Sequence, residues 1–162
     1  MFAGLSDPRA YAFIPDEPPS DVDALRARYA VLARGGSRDG SELWLNWVIR
    51  RRADGALLGY TQATVRDGTA QVAYLVFPPH WRQGVGRAAV SLMLDALFAM
   101  NGIAGAEALV DTRNRASQAL LARLGFTVVR RIEGADHFKG SPSDELAFAL
   151  PRARWPGAAA GL

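Results

Sequence analysis

Arg82-Gln83-Gly84-Val85-Gly86-Arg87 is the stretch whose residue types and spacing could do chemistry. Two glycines beside a helix start let successive backbone N–H groups approach a ligand with no Cβ in the way. The helix N-terminus adds partial positive charge. Such a nest binds phosphate. Arg82 and Arg87 flank it with guanidinium groups that match phosphate oxygens in bidentate fashion. The bland alternative is a surface turn with solvated arginines.

Two other phosphate loops can be weighed against this one. A nucleoside-triphosphate loop needs Gly-Lys-Ser/Thr, and here Gly86 is followed by Arg87-Ala88, so that reading fails. Gly84-Val85-Gly86-Arg87-Ala88-Ala89 satisfies G-x-G-x-x-A, the dinucleotide fingerprint, and Glu107 lies near the distance at which a ribose-binding acid is sought. The match is formal, because a dinucleotide loop follows its strand at once and begins parallel βαβ units.

The flanking elements decide between these readings. Val72 to Phe77 is an apolar, aromatic and β-branched run, stopped by Pro78-Pro79. After the loop, Val85, Ala88, Ala89, Leu92, Met93, Ala96, Leu97 and Met100 recur at helical spacing, with Arg87, Ser91 and Asp95 on the wet face. Upstream, Leu43–Ile49 and Leu57–Val65 alternate around Asp54-Gly55, and Asp67-Gly68 repeats the hairpin signal. Antiparallel hairpins therefore lead into the glycine loop, against the dinucleotide reading. Earlier still, Phe2 to Ala12 is a helix candidate, Pro15 to Pro19 break the chain, and Ser20 caps a second helix carrying Val22, Leu25, Tyr29 and Leu32. After the central helix come a strand at Ala106–Val110, a helix at Ser117–Leu124 closed by Gly125, a strand at Phe126–Arg131, a loop through Asp136–Asp144 and a last strand at Glu145–Leu150. The fold class is α/β (α+β), a mixed, mostly antiparallel sheet flanked by helices.

Composition sets the outer bounds. With 162 residues, 49% hydrophobic and 22% charged, the chain suits one globular domain, expected over residues 1–152, with 153–162 as a flexible tail. The 18 Arg and one Lys are spread along the chain, so no nucleic-acid face is indicated, although anionic ligands suit it. Zero cysteines exclude disulfides, a thiol nucleophile and the usual zinc knuckles. No metal site is expected. With no long apolar run and no basic leader, the chain reads as soluble and cytoplasmic, without membrane contact.

Pro78 to Ala88, followed by Asn114-Arg115-Ala116-Ser117 and Leu124-Gly125-Phe126, resembles the GNAT acetyltransferase superfamily. Pro-Pro-His-Trp-Arg-Gln-Gly resembles in particular its ribosomal-protein N-terminal acetyltransferase branch. The resemblance runs from roughly Asp7 to Leu150 and implies an acetyl-CoA N-acyltransferase fold, with acetyl-CoA as cosubstrate. It implies a cofactor-binding set of Leu75, Val76, Phe77, Arg82, Gln83, Gly84, Val85, Gly86, Arg87, Asn114 and Ser117. An N–H near Leu75 or Val76 polarises the thioester, Asn114 holds the pantetheine arm, and Ser117 is the catalytic residue near the sulfur. The first two helices and the Asp136–Asp144 loop shape the acceptor site.

The chain departs from the family pattern in three places. The family's usual first strand is missing ahead of the first helix. Gln71 stands where many members have Glu, and Leu121 where many have a general-acid Tyr. Glu42, Glu107, Asp111 and His137 are the remaining acid/base candidates, while His80 and His137 read as surface residues. The implied reaction is acetyl transfer to a primary amine of a protein N-terminus or a small molecule, with a homodimer possible. A CoA-binding regulatory module without turnover is the alternative.

Overall fold

The computed structural model describes residues 1–157. Six strands form one sheet in the order β1-β2-β3-β4-β6-β5: β1 Leu43–Arg50, β2 Leu57–Arg66, β3 Thr69–Val76, β4 Gly105–Asp111, β5 Thr127–Phe138 and β6 Ser141–Pro151. All neighbours run antiparallel except β3 and β4. Helices α3 (Val85–Ala99) and α4 (Arg115–Arg123) cover one face; α1 (Phe2–Leu5), a 3-10 turn (Pro8–Tyr11) and α2 (Val22–Leu32) belong to the other.

Strand alternation divides the core. Ala63, Val72, Ala106, Ala108, Val110, Phe148 and Leu150 meet Val90, Leu94 and Leu97 of α3 and Leu121 of α4. Leu75 and Phe77 point the other way, against Leu5, Tyr11 and Leu25. Thus each helix pair seals one side of a shared sheet.

Residues 2–12 are not one helix. Pro8 has no N–H to donate, so α1 stops and a 3-10 turn starts at Pro8, with Asp7 accepting from Arg9 N. The cap of α2 is Asp21 rather than Ser20: its Oδ1 accepts from Ala24 N at 2.7 Å. Asn114 caps α4, Oδ1 accepting from Ser117 N at 3.1 Å, so that helix begins two residues before Ser117. Leu124 closes α4 and Gly125 follows at φ +89°, as its position after the helix requires.

The Asp136–Asp144 segment is a hairpin and not an open loop. β5 and β6 continue to Phe138↔Ser141, turning through Lys139 and Gly140 at φ +52° and +76°. Pro142 is tolerated there because the β4 partner ends at Glu145 and asks for no N–H. Lys139 Nζ donates to the carbonyls of Tyr11 and Ile14, tying the hairpin tip to the N-terminal segment. Residues 153–157 also depart from expectation. Trp155 packs against Phe98, and its Nε1 donates to Asp95 Oδ1 at 2.8 Å, so this part of the expected tail is docked. Ala158–Leu162 lie outside the described residues.

Among the described residues no strand precedes β1, which forms the sheet edge; only an isolated bridge, Gly36↔Leu43, touches it from the N-terminal segment. None of the described helices is long and apolar enough to cross a membrane.

Candidate active site

β3 and β4 pair over only three positions, Thr69↔Gly105, Ala70↔Ala106 and Gln71↔Glu107. From Val72 onward β3 keeps its partner β2, while β4 continues beside β6 to Asp111↔Glu145. A cleft therefore opens between two parallel strands, widening toward their C-terminal ends. The first element beyond β3 in the chain, after a short 3-10 turn, is the glycine loop; the first beyond β4 is α4.

Backbone alternation decides which groups face this cleft. Phe77 N donates to Leu58 O on β2, and the Leu75 carbonyl lies against Gly59 of β2, so Leu75 and Phe77 spend their backbone groups on the hairpin. Val76, between them, points toward the cleft, where its carbonyl accepts from Trp81 Nε1 at 2.6 Å. Of the two expected donors, Leu75 and Val76, it is Val76 whose backbone groups turn toward the cleft. Phe77 is a packing residue: it is buried, and a Cβ on Gly4 would stand 2.3 Å from its ring.

The loop itself has the form of an anion nest. Arg82 and Gly84 take positive φ, +59° and +78°, and Gly84 is the N-cap of α3 with no side chain bonded to the first-turn amides. Gln83 Nε2 donates to Pro79 O at 3.0 Å and closes the loop from below. Arg82, Gln83, Gly84 and Arg87 are exposed around it, and Val85 begins the helix. Gly86 has a different task from Gly84. A Cβ there would meet Leu120 Cδ1 at 2.9 Å, so its missing side chain lets α3 lie close to α4.

On the helix face of the cleft, the Tyr74 hydroxyl and Ser117 Oγ lie 2.6 Å apart, linking β3 to α4 across the opening. Burial pushes the Tyr74 phenol up to about 12, with the Ser117 bond pulling the other way. Sequence reading missed Tyr74. The available signal was its place in the alternation Ala70, Val72, Tyr74, which puts a hydroxyl-tipped residue among core positions.

A family model described as acetyltransferase (GNAT) domain matches residues 1–127. The chain belongs to the GNAT acetyltransferase family. N-acetyltransferase YoaA of Bacillus subtilis (strain 168), itself uncharacterized, is 26% identical over 113 residues, 68% of this chain and 64% of that protein. The aligned part is thus just under two thirds of that relative. Among solved structures, Mycobacterium smegmatis RimJ in complex with CoA-disulfide superposes with a TM-score of 0.81 at 23% identity, covering 94% of this chain and 75% of that one. Spermidine N-acetyltransferase from Vibrio cholerae, in complex with CoA and spermine, gives 0.79 at 16% identity, covering 94% and 88%. These likenesses establish the GNAT fold expected from Pro78–Ala88 and Asn114–Phe126.

Within this GNAT frame, the acid/base candidates separate. Glu42 accepts from Trp44 Nε1 and pairs with Arg66, far along the β1–β2 hairpin from the cleft. Asp111 is 3% exposed and bound by Arg113 at 2.6 Å and Ser143 at 2.7 Å; the Arg113 bonds, with Ser143 helping against burial, bring its carboxyl down to about 2. It is a buried anchor, poorly suited to accept a proton. His137 is exposed near the hairpin tip, and Glu107, beside Gln71, is exposed on the sheet face away from α3 and α4.

Glu145 was not among the candidates. It is half-buried on β6, in register with Asp111 at the end of β4, and strand alternation places it on the face opposite α3 and α4. Burial first, then Asp136 and Asp111, raises its carboxyl above the ordinary value. The available signal was an acid, next to Asp144, that directly heads the apolar run Leu146–Leu150. On the same face a cavity of about 530 Å³ lies over β1 and β2, walled by Leu25, Tyr29 and Leu32 of α2 and by Trp44, Asn46 and Tyr60 of the sheet. Among the described residues no cluster of His, Cys, Asp or Glu could hold a metal ion.

Proposed function

We propose that this protein is an N-acetyltransferase that moves an acetyl group from acetyl-CoA to a primary amine. The observation that carries this reading is the β3–β4 cleft, which has an uncapped helix N-terminus at one end and the Tyr74–Ser117 pair on one wall. The residues present fit acetyl-CoA. First-turn amides of α3, with Arg82 and Arg87, suit its pyrophosphate, and the cleft suits an extended arm held by the Asn114 amide, whose Oδ1 is already taken by the helix cap. When bound, acetyl-CoA supplies an activated acyl carbon and a thiolate leaving group.

The chain's own groups then divide the work. The Val76 N–H faces the position where negative charge develops on the carbonyl oxygen. Glu145, its carboxyl raised by burial, takes the proton that the attacking amine sheds. Ser117 Oγ–H gives its proton to the departing sulfur and takes the phenol proton of Tyr74; with its phenol at about 12, Tyr74 then regains a proton from water before the next turnover. The 530 Å³ cavity receives the acceptor from the opposite face, so amine and thioester meet only through the cleft.

Acetyl-CoA-dependent thiol release against a panel of amines, alongside melting temperature with acetyl-CoA, NAD and ATP, tests the proposal. Thiol release and a shift with acetyl-CoA alone are expected. Stabilisation without release from any amine would favour a regulatory CoA-binding module instead.

A further inference from the structure

The transferase reading leaves the acceptor open, and the walls of the 530 Å³ cavity narrow it. The volume suits a small molecule rather than a folded partner. Its lining is largely apolar and aromatic, with Tyr11, Tyr29, Trp44 and Tyr60 among the rings. One fully charged side chain lines it, Arg28 of α2, and among the described residues none of the lining positions is Asp or Glu.

Arg28 is placed to act on the acceptor. Its positive charge reaches the hydroxyls of Tyr11, Tyr29 and Tyr60, favouring their ionised forms against the effect of burial. Tyr60 is in register with Leu75 of β3, within the stretch where β4 no longer pairs, so the guanidinium lies toward the cleft side of the cavity. Its own partner is weakly held: Asp16 stands at 3.4 Å through one contact, and both side chains are about half exposed, 43% and 51%. An incoming carboxylate can displace or share that contact with better bidentate geometry.

A polyamine fits these walls poorly. Its several ammonium groups would be desolvated beside Arg28 with no lining carboxylate to answer them. A peptide N-terminus lacks an anion next to its amine and leaves Arg28 unused. Resting on the transferase reading, we infer that the acceptor is an α-amino acid with an apolar or aromatic side chain, its carboxylate held by Arg28 and its side chain among the rings.

The test is the initial rate of thiol release from saturating acetyl-CoA with L-phenylalanine, L-phenylalaninamide, a phenylalanine-initiated dipeptide and spermidine, compared at equal concentrations of neutral amine. Loss of a charge-assisted bidentate bond predicts that kcat/KM favours the amino acid over its amide by about tenfold or more. Arg28→Gln should bring that ratio to about one, with Arg28→Lys between, since an ammonium keeps the charge without the fork. A variant that merely folds badly lowers both rates and leaves the ratio. Equal or better use of the amide, the dipeptide or spermidine, or a ratio unmoved by Arg28→Gln, overturns this inference while leaving the transferase reading intact. No thiol release with any of the four amines overturns both.

Discussion

Tyr74 and Ser117 stand 43 residues apart in the chain, and their hydroxyl oxygens lie 2.6 Å apart. The contact joins the strand that leaves the sheet pairing to the helix that follows β4, where the proposed reaction would leave a thiolate in need of a proton. Leu121 occupies the helix position where the family resemblance implies a tyrosine, and Tyr74 brings a phenol to the same helix from the neighbouring strand. If it feeds the proton, Tyr74→Phe lowers kcat by about 100-fold or more, the size of a lost general-acid contribution. Acetyl-CoA affinity should stay within about twofold, because the proton matters only as the thiolate forms. Stopped-flow rates and equilibrium titration separate the two. Wild-type kcat in this variant would reduce the pair to a packing contact.

Asn114 has two tasks that substitutions can part. Its Oδ1 caps α4 by accepting from Ser117 N, and its Nδ2 is the amide proposed for the pantetheine arm. Asn114→Ala should lose both, lowering stability by about 1 kcal/mol and weakening acetyl-CoA. Asn114→Asp keeps the cap and favours the helix dipole, so its melting temperature holds while its affinity falls about tenfold. Undiminished affinity in the Asp variant removes Asn114 from the cosubstrate site.

The two glycines of the loop should fail differently. Gly84 sits at φ +78° with nothing within 4 Å of an added Cβ, so Gly84→Ala costs about 1 kcal/mol in backbone strain alone. Gly86→Val instead drives a branched side chain into Leu120, whose Cδ1 would lie 2.9 Å from the new Cβ, at a cost of about 1–3 kcal/mol. Adding Leu120→Ala should return part of that loss in thermal melts. If it returns none, the contact between α3 and α4 is not what requires glycine.

Asp111 sets a pH limit on stability. Its folded carboxyl lies at about 2, held down chiefly by Arg113, against about 3.9 in an unfolded chain. A depressed folded value means its contribution is complete above about pH 4 and disappears as pH falls through about 2. Asp111→Asn should therefore cost about 1–3 kcal/mol at neutral pH and flatten the acid end of the stability curve. Denaturant melts at pH 7, 4 and 3 check this, and equal losses at all three would contradict it.

Glu145 can be told apart from solvent as the base by pH dependence. Its carboxyl is raised, so as the essential base it imposes an acid limb on kcat/KM above the usual carboxylate range, common to acceptors of different basicity. Glu145→Gln should abolish that limb. A water-relayed deprotonation gives only an inflection that moves with the acceptor's own pKa, and finding that in the unmodified protein rules Glu145 out.

Local signals in the chain were enough for the elements near them. Asp54-Gly55 and Asp67-Gly68 announced the hairpins because those turns need positive φ, which is taken by Asp67 as well as by Gly55 and Gly68. Pro78 to Ala88 and Asn114 to Phe126 carried the family and hence the sheet, since glycine loops and helix caps are written in a few adjacent residues. The extent of the final hairpin was not legible, because Pro142 and Gly140 read locally as breakers. Only the absence of a β4 partner there makes Pro142 harmless. The choice of Val76 over Leu75 and the packing role of Phe77 depended on which neighbour each backbone group faces. Tyr74 with Ser117, Glu145 beside Asp111, and Arg28 over Tyr60 were beyond the sequence for one reason. Each pairing crosses tens of residues, and its proton affinity or charge is set by burial and neighbours that exist only once the sheet has closed.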